Sequence, residues 1–299
     1  MAVLLLLVKQ AQRRRQRVGN LSDFVRQVVF AVFNLSKMTS WVNLRQGRSL
    51  LRELQKSSTM IGAMSKAYIN DHWSVNQRLQ SLADHYEFCD LKKDAIFSIP
   101  EDHYIQCDIP DTTDFHLRLL VDRPAWMRSE GQLTVSLFVG VDRVYCLAFS
   151  VNRFNDAHAL VIGAIQGAKL ENVSEIYREC TKQTFGMRPR DLLVFIAQLI
   201  ASRVGCTHIL AIADDHHQTR NKSNQNDKIA SYDDLWEEHL GVRQNDGFYR
   251  LPVEVRRRAA EDVPAKKRSQ YRQRYNFLDS VDSTIGDKLL GIEVTYKKH

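Results

Sequence analysis

Apolar positions along this chain follow two rhythms. Between Ala157 and Asp215, branched apolar residues form two short unbroken runs, His158 to Gln166 and His208 to Ala213. Two segments of helical spacing and a basic turn, Gly186-Met-Arg-Pro-Arg190, lie between them. Short apolar runs bounded by turn residues suit buried strands, and two such runs joined by helices predict a crossover to a parallel neighbour. Upstream, the residues Phe115 to Leu120, Gln132 to Phe138 and Arg143 to Val151 alternate as half-buried strands do. The tight Gly140-Val-Asp142 turn predicts that the last two form a hairpin. An antiparallel meander therefore leads into the crossover unit.

Outside this region the period is mostly helical. Phe24, Val28, Val29, Val32 and Phe33 recur at helical spacing, as do Trp73, Val75, Leu79 and Leu82, with Leu50 to Leu54 between them. Residues 1–92 are read as a helical N-terminal region and 93–299 as an α/β domain with a basic C-terminal helix. After Asp215 a polar stretch to Asp227 predicts a loop. A helix starts at Ser231 and ends at Leu240-Gly241, with the glycine as its cap. Phe248 to Leu251 is a short strand stopped by Pro252. The last helix begins near Pro264 and sets Tyr271, Tyr275 and Leu278 on one face. The fold class is α+β, a mixed sheet with crossover helices.

Composition adds bounds. Hydrophobic residues at 44% and charged residues at 26% are ordinary for a globular protein, and no apolar run approaches the ~20 residues that span a bilayer. The apolar start, Ala2 to Val8, is followed by cations (Lys9, Arg13, Arg14, Arg15, Arg17) where a secretory signal has them in front. The expectation is a cytoplasmic chain whose first helix meets a partner or a membrane surface, peripheral to the inner membrane. Five scattered cysteines without a Cys-x-x-Cys pair predict buried, reduced thiols and no zinc site. Charge is more telling. Of the net +7, nearly all lies between Arg250 and Tyr275, where nine cations face three acids. Such a patch attracts polyanions or is simply a solvated face.

Candidate chemistry gathers at four places. Gly186, Met187, Arg188 and Arg190 sit where a helix begins, so free backbone N–H groups and two guanidiniums can meet an anion. Thr181 and Lys182 either join that pocket or belong to an exposed helix end. Gln166 and Gly167 close the central strand, where α/β proteins commonly line ligand sites and where a flexible turn is equally needed. Asp214, Asp215, His216 and His217 follow the second strand. A carboxylate beside an imidazole there suits a general base, and a polar loop start explains the same residues. No metal is expected, because adjacent residues seldom face one ion.

Glu130-Gly-Gln-Leu133, Ile162-Gly-Ala-Ile-Gln-Gly167, Thr181-Lys182 with Gly186-Met-Arg-Pro189, Tyr232-x-x-x-Trp236 and Pro264-Ala-Lys-Lys-Arg268 with Tyr271-Arg-x-Arg-Tyr275 together resemble the VirK/YbjX family of bacterial proteins. That resemblance implies links to virulence, tolerance of cationic antimicrobial peptides and the DNA-damage response, and names no reaction. The order of elements also resembles the core of GNAT acyltransferases. This second likeness implies an acyl-CoA donor whose diphosphate meets Gly186, Met187, Arg188 and Arg190, and gives Tyr232 the role of general acid. The chain departs from the GNAT pattern in its inserted segment, Glu171 to Phe185, and in having one glycine at the turn. The rival function class is a non-catalytic module for an acidic membrane surface or a protein partner. Nucleic acid is a third option resting on charge alone.

Overall fold

The computed structural model describes residues 21–44, 53, 65–92, 94–110, 115–218, 231–259, 261–291 and 295–298. Among them are seven α-helices and one nine-stranded mixed sheet. Three helices come first: α1 (Leu21–Phe33), α2 (Leu35–Leu44) and α3 (Val75–Leu91). The meander follows as β1 (His103–Asp108), β2 (Leu117–Asp122), β3 (Leu133–Val139), β4 (Asp142–Phe154) and β5 (Ala157–Gly167). Helices α4 (Val173–Gln183) and α5 (Pro189–Arg203) cross to β6 (His208–Ile212). The chain closes with α6 (Tyr232–Glu238), β7 (Val242–Arg243), β8 (Phe248–Leu251), α7 (Arg268–Lys288) and β9 (Lys297–Lys298). The sheet order is β7-β8-β6-β5-β4-β3-β2-β1-β9, and the β5–β6 pair is parallel while the others are antiparallel.

The predicted crossover and hairpin are both present. Gly140 turns β3 into β4 with φ +57°, a conformation glycine adopts freely. Cys146 to Val151 and Ala159 to Ile165 are buried without a break, so β4 and β5 are covered on both faces. Helix α5 supplies part of that cover with Leu192, Leu193, Ile196 and Ile200. Helix α3 packs on β4 and contributes Leu82 and Phe88 to the same core as the sheet. A capping box, Ser74 with Gln77, starts α3. Of the expected Leu50 to Leu54 helix only Glu53, which is helical, is described, and residues 219–227 of the expected loop also lie outside the described residues. The five cysteines are all buried and unbridged. No helix among the described residues is long and apolar enough to cross a membrane.

Three details differ from expectation. The buried stripe of α7 is Phe277, Leu278, Val281 and Ile285, which leaves Tyr271 and Tyr275 half-buried beside it. Helix α6 ends with Leu240 in the left-handed region (φ 62°), and the Gly241 N–H reaches back to the Trp236 carbonyl at 2.7 Å. Gly241 is required for room, since a Cβ there would lie 2.7 Å from the Trp236 oxygen. The two-residue strand β9, pairing with His103 and Tyr104, carries too little pattern to be foreseen.

A short strap, residues 127–132, ties the layers together. The β4–β5 register shifts at Gly163, and the Glu130 carbonyl presses into the space where a Cβ of Gly163 would stand. Gly131 also lies close on the backbone of Phe149, where a Cβ would stand 2.6 Å from the Phe149 nitrogen. Beyond them Gln132 enters a buried network. Its amide donates to Tyr68 Oη (3.1 Å), and its Oε1 accepts from Tyr86 Oη (2.8 Å) and Arg128 (3.0 Å). Tyr68 Oη and Ser150 Oγ are 2.8 Å apart, while Arg123 bonds Tyr86 Oη (2.6 Å) and Glu53 (2.9 Å). His85 lies beside this network and accepts the Val151 N–H at 3.2 Å.

Gly163→Ala should therefore destabilise the fold by about 3 kcal/mol or more, because backbone cannot move aside as a side chain can; urea unfolding measures it. Burial, with Arg123 and Arg128 nearby, lowers the His85 pKa from 6.5 to about 3. The unfolded chain takes up this proton below 6.5 and the folded chain does not. Stability from this group is thus full above pH 6.5 and is lost as pH falls from there toward 3. Urea melts across that window should show a slope that His85→Gln reduces by up to one proton, ~1.4 kcal/mol per pH unit.

Candidate functional site

Helix α4 ends on a left-handed Phe185 (φ 54°), and the Gly186 N–H closes the turn on the Thr181 carbonyl at 2.7 Å. Gly186 is also left-handed (φ 87°). A Cβ there would stand 2.6 Å from the Arg274 guanidinium and 2.7 Å from the Gln270 amide, so glycine lets α7 approach the turn. Arg274 Nε donates to the Phe185 carbonyl at 3.0 Å. Thr184 Oγ1 donates to the Cys180 and Met187 carbonyls, both at 2.7 Å. Pro189 then opens α5, where its missing N–H is no loss.

The turn, the end of α6, the 252–262 segment and α7 enclose a cleft of ≈ 650 Å³. Gly186, Met187 and Arg188 line it, together with Arg256, Arg257, Arg258 and Arg274 from the basic C-terminal region. The two charge features far apart in sequence thus meet in one place. Asp191, Glu238 and Asp262 also line the cleft and balance part of the charge. Arg188 bonds Asp191 at 2.6 Å and 2.9 Å and also pairs with Glu238. His239 Nε2 lies 3.3 Å from Asp191. Burial pushes the Asp191 carboxyl up, yet the bonds from His239 and Arg188 outweigh it and hold it below the usual range. Arg188 does the same for Glu238. The tyrosines form one wall, with Arg257 5.3 Å over the Tyr275 ring and Arg274 4.6 Å over Tyr271.

Other candidates lie elsewhere. Arg190 pairs with Glu238 at 3.0 Å without lining the cleft. Lys182 is exposed and 3.6 Å from Glu179, and Thr181 Oγ1 donates to the Tyr177 carbonyl. Gln166 accepts the Cys146 thiol through its carbonyl, and Gly167 makes room for the Tyr177 hydroxyl where the sequence suggested a ligand. Asp214 anchors α6 by accepting from Ser231 Oγ (2.7 Å) and the Tyr232 N–H (2.9 Å). His216 Nδ1 is 2.8 Å from Asp215, which Arg243 also binds. His217 is buried, 3.0 Å from Glu130, whose other oxygen accepts from Gln218 at 2.5 Å. Tyr232 is 2% exposed, and its hydroxyl accepts the Ile165 N–H (2.9 Å) and donates to the Ile165 carbonyl (2.8 Å). The β5–β6 pairing ends at Ile162–Ala211, so Tyr232 fills the gap where these strands part. Asp214, His216 and Tyr232 are outside the lining of the cleft.

A family model described as a protein of unknown function, DUF535, matches residues 16–287. The chain belongs to the DUF535 family. One relative from Haemophilus influenzae is 23% identical over 278 residues, 92% of this chain and 89% of that protein. YbjX of Escherichia coli is 28% identical over 148 residues, covering 48% of this chain and 45% of YbjX. A second H. influenzae protein is 31% identical over 146 residues, 49% and 48% of the two chains. The last two matches thus span under half of those relatives. All three are described as uncharacterised proteins. The VirK/YbjX resemblance holds at this level, and the DUF535 match runs from ahead of α1 to within α7, so the turn and the basic helix both fall inside it.

Sequence reasoning missed His239 and the buried Glu130–His217 pair. His239 stands where the helical period stops, and Glu130 and His217 are 87 residues apart with no local signal. Tyr232→Phe should destabilise this DUF535 protein by about 1–3 kcal/mol, since two buried backbone groups lose their partner. Thermal and urea unfolding read this directly; a change under ~0.5 kcal/mol would mean that the hydroxyl is dispensable to the strand gap.

Proposed function

We propose that this protein binds a phosphate-bearing anion in the cleft between α5 and α7. The observation that carries the reading is the meeting there of Arg188 with Arg256, Arg257, Arg258 and Arg274 around two tyrosines. Guanidiniums give paired, directional hydrogen bonds to phosphate oxygens, and the first turn of α5 adds backbone N–H groups. The finer reading is an acyltransferase of GNAT type, with the diphosphate of acyl-CoA as that anion. Its support is the order of meander, crossover, parallel strand and closing strand. His239, held by Asp191, is the titratable group nearest to hand for taking a proton from an amine or hydroxyl acceptor. An acyl arm entering between β5 and β6 has to displace the Tyr232 hydroxyl from Ile165, which favours simple anion binding over acyl transfer along that route.

A second reading rests on α1, where Leu21, Val25, Val29, Val32 and Phe33 are exposed. This apolar stripe suits a non-catalytic module that meets an acidic membrane or a protein partner. The roles in virulence and peptide tolerance implied by the VirK/YbjX resemblance are compatible with either reading.

Calorimetric titration with pyrophosphate, coenzyme A and acetyl-CoA tests the cleft. The wild-type chain should bind at least one of them saturably, and Arg188→Ala/Arg256→Ala should weaken it about tenfold or more, as expected for lost charge-assisted bonds. Absence of binding at millimolar ligand removes the anion reading. Binding of pyrophosphate without any preference for acetyl-CoA removes the acyl-donor extension alone.

A further inference from the structure

A second concavity of ≈ 530 Å³ adjoins the cleft at the two tyrosines. It shares Arg258, Tyr271 and Tyr275 with the cleft and adds Arg268, Arg272 and Ser269. Its charge balance is different. In the cleft, Arg188 and Arg257 are spent in ion pairs with Asp191, Glu238 and Asp279. No acid lines the second pocket, and among the described residues Arg258, Arg268 and Arg272 enter no ion pair. Arg268 Nε donates to the Val263 carbonyl (3.1 Å), which fixes the guanidinium at the rim with its other donors unused. Arg268 and Arg272 are four residues apart and so share one face of α7. Three like charges in a concave surface repel unless an anion sits between them, and that repulsion falls most for a doubly charged anion.

We propose that this pocket is a second binding site, separate from the cleft, for a phosphate monoester on an aromatic or apolar carrier. The arginines take the dianion, as guanidinium forks match phosphate oxygens better than ammonium does. The Tyr271 and Tyr275 rings and Val263 receive the carrier. A plain solvated basic face would have neither the aromatic wall nor the concavity.

The full-length chain is titrated calorimetrically with inorganic phosphate and with adenosine monophosphate, and is sedimented with phosphatidic acid vesicles against phosphatidylcholine vesicles. Arg268→Gln/Arg272→Gln is compared with the cleft variant Arg188→Ala/Arg256→Ala. All four positions are exposed, and melting curves check that each variant folds. The expected result is a saturable phosphate-monoester binding component that Arg268→Gln/Arg272→Gln weakens about tenfold or more and that remains in the cleft variant, which loses the pyrophosphate component instead. Preference for adenosine monophosphate assigns a nucleotide carrier, and preference for phosphatidic acid vesicles assigns a lipid one. No saturable binding by the wild type, or equal binding by Arg268→Gln/Arg272→Gln, overturns the proposal. Equal loss in both double variants overturns the separateness of the site while leaving the cleft reading intact; failure of the wild type to bind pyrophosphate, with phosphate monoester binding retained, strikes the cleft reading and not this one.

Discussion

The close approach of the Glu130 carbonyl to Gly163 is the constraint on which the centre of this molecule depends. It pins the 127–132 strap to the bulge between β4 and β5. The Glu130 and Gln132 side chains on the strap then have defined destinations. The Glu130 side chain reaches His217 and Gln218 after β6, and Gln132 reaches the tyrosines of the N-terminal layer. One hexapeptide thus connects helices, meander and crossover. Buried polar groups tolerate this only when they are paired, and most of these are.

The surface cleft is built on a different principle. Its walls come from four segments, and their alignment rests on Arg274 bonding the Phe185 carbonyl across Gly186. The turn that looked in sequence like a ready-made phosphate loop is in fact shaped to receive an arginine from α7. The positive charge around it comes from the assembled surface of Arg256, Arg257, Arg258 and Arg274 more than from the turn itself. This also explains why a single glycine is enough there: its task is to admit a guanidinium.

Much of the fold was legible because local signals agreed with tertiary need. The alternation in β3 and β4, the glycine at their turn and the apolar runs of β5 and β6 each point to one answer. The site was less legible. Arg188 and the Arg256 to Arg258 run each carry a visible charge signal, but nothing in the chain says that they face one another. The spacing of Tyr271 and Tyr275 left a stacking wall and a buried stripe open, because aromatic residues fit both equally well. Gly167 and Gly241 were visible as glycines, yet their reasons, a tyrosine hydroxyl and a neighbouring carbonyl, are contacts made at a distance. Tyr232 was noticed for its chemistry, and its position in the strand gap is set by Asp214 holding the start of α6.

The bond from Arg274 to Phe185 joins residues 89 positions apart, and its donor lies in the last long helix of the chain. During synthesis, β1 to β8 and their covering helices leave the ribosome before that helix does. The sheet can settle while the turn after α4 still lacks its clasp. The basic cleft is therefore completed only once α7 has emerged, after the strands from β1 to β8.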